Sequence, residues 1–157
     1  MSGPLIKYTD AEHIQEFIAS GKVECLASDI SEAAERHLEL SFPFRKSSTI
    51  IDWDSLPSSK LHWNTVSDDE TAVWAASTLA GQCSYALLLF SPTQPCLLGT
   101  FDFMIRNLDE LVWKAPGNRI LFGVNRNDFG EVKFSNGIIE FNGKGELFAS
   151  IGQENEN

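Results

Sequence analysis

The chain has only three cysteines, and no two of them stand in a C-x-x-C pair. An odd count without that spacing argues against a disulfide framework and against a zinc site, so Cys25, Cys83 and Cys96 are expected to be reduced thiols. Histidine is as scarce, with His13, His37 and His62 alone. Cations are few: 12 Lys and Arg face 22 Asp and Glu, a formal net charge of −10. Such a chain is repelled by phosphate backbones and by anionic lipid, which speaks against direct nucleic-acid and membrane binding. The longest apolar stretch, Tyr85 to Phe90, is far too short to span a bilayer. The opening Met-Ser-Gly-Pro-Leu-Ile-Lys has no apolar run of signal-peptide length, and a cytoplasmic location is expected. The glycines form neither a P-loop nor a dinucleotide fingerprint, and the loop from Gly123 to Gly130 lacks calcium-loop spacing. No catalytic residue, cofactor or metal is assigned, and an enzyme is not expected.

What is present is an ordinary globular composition. The 157 residues are 43% apolar, enough for one domain, expected over 1–152 with a frayed polar tail at 153–157. Charge is uneven. Residues 1–40 carry eight acids and three bases, whereas residues 71–100 carry no charged side chain at all. Thirty uncharged residues are hard to keep in water, so this middle stretch is expected to form the core.

Apolar spacing predicts helices early and strands late. Thr9-Asp10-Ala11-Glu12 reads as a capping box for a helix over 10–20, with Ala11, Ile14, Phe17 and Ile18 inward and Gly21 at its stop. Val23 to Leu26 suits a short strand or a linker. A second helix spans 29–40 with Ile30, Ala33, Ala34 and Leu38 inward, ended by Phe42-Pro43-Phe44. Thr49 to Trp53 and Leu61 to Val66 read as a hairpin turning at Pro57-Ser58-Ser59. Ser67-Asp68-Asp69-Glu70 is a second capping box, leading into Thr71 to Ala80, an uncharged helix expected to be buried nearly all round. Ser84 to Phe90 suits a central strand and Cys96 to Thr100 a further one. Phe101, Met104, Ile105, Leu108, Leu111 and Val112 share one helical stripe. Arg119 to Val124, Glu131 to Ser135, Ile138 to Phe141 and Glu146 to Ile151 then form a meander with turns at Asn136-Gly137 and Asn142-Gly143-Lys144-Gly145. The class is α+β: N-terminal helices packed on a mainly antiparallel sheet that ends in a C-terminal β-meander.

Few side chains suggest chemistry. His13 and His37 fall on or beside apolar helix stripes and suit structural roles. A Cys83–His62 pair is the best enzymatic candidate, but a thiolate needs a positive setting and none of the surrounding residues is a base. A pocket near Trp63, Trp74 and Cys83, with His62 as its polar group, is the alternative reading for a small-molecule binder or enzyme. Asp52-Trp53-Asp54 puts two carboxylates on one strand face, more simply a solvated face than an acid–base pair.

The most informative pattern is the placing of acids. At 100° per residue, Glu12 and Glu16 lie together opposite the apolar stripe of the first helix, and Glu32, Glu35 and Glu39 do so on the second. Like charges at i,i+4 cost roughly 0.2–0.5 kcal/mol each. With Asp52, Asp54, Asp68, Asp69 and Glu70 these form the candidate partner-binding set, suited to a basic protein surface. In length, charge, order of elements and C-terminal meander, the chain resembles bacterial toxin-immunity proteins, including those of contact-dependent growth-inhibition systems. The resemblance implies tight binding to a toxin domain, often a basic nuclease, whose active site or substrate path it blocks. It is one of profile and carries no binding residue across.

Overall fold

The computed structural model describes residues 8–46, 51–112, 119–128, 130–142 and 145–151. Seven antiparallel strands form one sheet, and apolar residues alternate across it, so each face needs a cover. The strands are β1 (Val23–Leu26), β2 (Ser58–His62), β3 (Tyr85–Leu89), β4 (Cys96–Thr100), β5 (Arg119–Arg126), β6 (Val132–Phe141) and β7 (Glu146–Ser150), in the order β1-β4-β3-β5-β6-β7-β2. On one face Ala86, Leu88, Leu97, Leu121, Ile139 and Leu147 meet α1 (Glu12–Ala19), α3 (Asp68–Ala76), α4 (Phe101–Arg106) and α5 (Leu108–Val112). On the other, Leu87, Leu89, Leu98, Phe122 and Ile138 meet α2 (Ser28–Ser41) and the segment around Trp53. The expected α+β class and the C-terminal β5-β6-β7 meander are present, and the uncharged middle supplies β3, β4 and much of the core. Among the described residues no helix is long and apolar enough to cross a membrane.

Local signals held where tertiary packing agreed with them. Gly21 takes a φ of +76° after α1, and Ser67 Oγ accepts the Glu70 N–H at the start of α3. All six residues of the stripe over 101–112 are buried, although Asn107 divides it into two helices.

Other expectations are corrected. Thr9 is buried but does not cap α1; Ala11 stands at that position without a side-chain bond, after a 3-10 turn over Tyr8–Asp10. In α2, Ala33 is exposed and Ser31 takes the inward place, its hydroxyl donating to Gln94 O at 2.5 Å. The hairpin about Pro57-Ser58-Ser59 is absent: Ser58 and Ser59 lie within β2, Trp53–Ser55 and Trp63–Thr65 are 3-10 turns, and Ile51 makes only one bridge, to Phe44. Residues 49 and 50 lie outside the described residues. Long-range pairing of β2 with β7 overrides the local turn chemistry there. The helix expected to Ala80 ends at Ala76 and is not wrapped in core, since Val73 is 74% exposed.

Asn136-Gly137 is not a hairpin turn. Val132–Phe141 runs through it as one strand, and the β5–β6 connection lies at Asn127 to Gly130, where Asn127 N–H donates to Glu131 O and Gly130 has φ +80°. Gly137 is needed for closeness: a Cβ there would stand 2.2 Å from Ala80 N, and one at Gly123 would stand 2.7 Å from Ala80 Cα. The chain after α3 therefore lies directly on the sheet at a β6 irregularity. Hydroxyls replace the ladder bonds there: Ser135 Oγ donates to Gly123 O, Ile138 N–H donates to Ser150 Oγ, and that hydroxyl donates to Asn136 O.

Candidate functional site

The fold divides the candidate acids between two surfaces. Glu12 and Glu16 on α1, and Asp68, Asp69 and Glu70 at the start of α3, are exposed on the helices that cover one face. Glu32, Glu35 and Glu39 on α2, with Asp52 and Asp54 beside Trp53, belong to the opposite face. The two rows therefore cannot meet one flat partner together.

The first surface is the more strongly charged. Helices α1, α5, α4 and α3 adjoin in that sequence. Four carboxylates that sequence reasoning had not singled out join the five expected ones there: Asp10 before α1, Asp102 on α4, and Asp109 and Glu110 on α5. They could have been found by reading the solvent side of the 101–112 stripe as closely as its buried side. All nine are exposed, and Arg106 is the one lysine or arginine on these elements. That arginine is already engaged. Its Nε donates to both Asp102 oxygens at 3.0 Å and its Nη1 to Asp69, and these bonds raise its pKa. His13 is used within the layer as well, Nε2–H donating to Glu110 O at 2.6 Å and tying α1 to α5.

The α2 surface is nearer to balance, since Arg36, Arg45 and Lys46 share it with Asp29, Glu32, Glu35, Glu39, Asp52 and Asp54. Glu35 is half-buried, and desolvation together with Glu39 one turn on raises its pKa. His37 has a structural place here, its Nε2–H donating to Ser135 O at 2.8 Å and its ring stacked on Phe134. Asp52 accepts from Ser55 Oγ and Asp54 points to solvent, so the two do not form an acid–base pair.

The enzymatic candidate is not assembled. His62 is exposed on edge strand β2, while Cys83 is buried just before β3, with β5, β6 and β7 between those strands. Trp63 packs edge-on against Phe141, and Trp74 donates its indole N–H to Ser59 Oγ at 2.9 Å. A cleft of about 100 Å³ lies elsewhere, between β1 and Tyr85. Among the described residues no group of three His, Cys, Asp or Glu is placed to hold a metal ion.

No family model, curated protein or solved structure matches this chain. The surface itself is thus the guide to function: a helical layer of nine exposed carboxylates around one engaged arginine, over a sheet covered on both faces. Such a layer can attract, orient and cover a positively charged macromolecule.

Proposed function

We propose that this protein is an acidic binding module that neutralises a basic protein partner, a cognate toxin domain of the nuclease kind, by occupying its active site. The single observation behind this reading is the layer of nine exposed carboxylates on α1, α3, α4, α5 and the turn before α1, where Arg106 is the one base on those described elements, Lys22 follows α1, and the arginine is held by Asp69 and Asp102. A nuclease that grips phosphates offers a cationic cleft, and a row of carboxylates is a fitting mimic of its substrate. The free thiols of Cys25, Cys83 and Cys96 suit a reducing cytoplasm, the compartment in which an immunity protein would act.

Co-purification across a salt gradient tests the proposal. The partner is expected to be basic, to elute as salt rises, and to associate more slowly at high salt than at low salt. Association that does not slow would reject the electrostatic part of the reading. A neighbouring reading frame that ends in a basic domain supplies the partner to try first.

A further inference from the structure

The two edges of the sheet are secured differently. At one edge, Lys60 of β2 pairs with Glu146 of β7, a strand it already neighbours. At the other, β1 has only four residues and pairs with β4 alone, from Val23 opposite Gly99 to Leu26 opposite Cys96. Besides the packing of buried Val23 with α1, it is held by a side chain that comes from well inside the sheet. Arg126 stands on β5, and both β3 and β4 lie between it and β1. Its guanidinium crosses Tyr85 of β3, 5.7 Å from the ring centre. It then donates from Nη1 and Nη2 to the two Glu24 oxygens at 2.9 and 2.6 Å. The fork is therefore matched at both prongs. Glu24 and Tyr85 also bound a small cleft with Lys22 and Leu98.

We infer that the Glu24–Arg126 pair is a strap that sets how readily β1 lifts away from β4. A four-residue edge strand opens at a free energy well below that of global unfolding, so even a modest bond changes how often it does so. The strap ties β1 to a strand it does not touch, and lifting must break it as well as the ladder. Opening would uncover the Cys96–Thr100 edge of β4, whose leucines are buried at present. Glu24 is 57% exposed and Arg126 26%, so solvent screens the pair and its effect is a few-fold one.

Residue-resolved amide exchange on the full chain tests this. In Glu24→Gln, amides of the β1–β4 ladder should exchange about three- to fivefold faster, while those of β5–β6 keep their rates. Glu146→Gln should accelerate the β2–β7 ladder and leave β1–β4 alone. Salt at about 1 M should quicken β1–β4 exchange in the unmodified protein and not in Glu24→Gln. Arg126→Lys, which keeps the charge and loses the fork, should fall between. Unchanged β1–β4 rates in Glu24→Gln, or equal acceleration of every ladder, would overturn the inference.

Discussion

Trp53 and Glu140 meet inside the α2 face of the sheet, the indole Nε1–H donating to Glu140 Oε1 at 2.9 Å. The two side chains are 8% and 6% exposed, and the indole also stacks on Phe148 at 5.7 Å. The contact seats the segment after Ile51 on β6 and gives a buried carboxylate a donor. Trp53→Phe should therefore lower the unfolding free energy by about 2–4 kcal/mol, through loss of a buried hydrogen bond and of packing. Urea unfolding measures it. A loss below about 1 kcal/mol would mean that the bond contributes little.

Gly137 and Gly130 separate closeness from backbone freedom. Gly137→Ala would drive a methyl into Ala80 N and should cost about 3 kcal/mol. Gly130→Ala meets nothing within 4 Å and should cost only the left-handed backbone, about 1 kcal/mol. Thermal melts of the two variants should keep that order.

Glu24 and Glu35 should respond to pH in opposite directions. Glu24 is held below the usual carboxylate range by the hydrogen bonds from Arg126, so its contribution is present at neutral pH and lost as pH falls through its folded value. Glu35 is raised by desolvation and by Glu39, so its ionisation costs native stability as pH rises through its folded value. Glu35→Gln should then be more stable than the parent at neutral pH, by about 0.2–0.5 kcal/mol, and no more stable near pH 3. Urea curves at the two pH values decide it; a loss at neutral pH would contradict the sign.

The two acidic surfaces should differ in binding. Neutralising Glu12, Glu16, Asp109 and Glu110 together with Gln or Asn should slow association with the co-purifying basic partner about tenfold at low salt. Neutralising Glu32, Glu35 and Glu39 should change it less than about twofold. Stopped-flow rates at several salt concentrations provide the measurement, and the reverse ranking would move the interface to α2.

Much of this architecture could be read from residue patterns, because apolar periodicity reports which side faces a core. The stripe from Phe101 to Val112 and the strand at Tyr85–Leu89 were legible for that reason. The errors came where distant partners outweighed neighbours. Asn136-Gly137 carries a strong local turn signal, yet Ala80 needs the glycine's bareness rather than its turn geometry. Ser58 and Ser59 look like turn residues, yet β7 recruits them into a strand. The acid rows were visible residue by residue. Their separation onto two faces was not, because periodicity within a helix does not say which side of a sheet the helix will cover.

The sheet order also governs how the molecule comes into being. Val23 waits for Gly99, and Ser58 cannot be matched until Ser150 has been made. Pairings of such sequence separation fold slowly, and a chain emerging from the ribosome must keep β2 unsatisfied until β7 has been synthesised. Loss of Glu146–Ser150 would thus strip the partner from a strand laid down long before it.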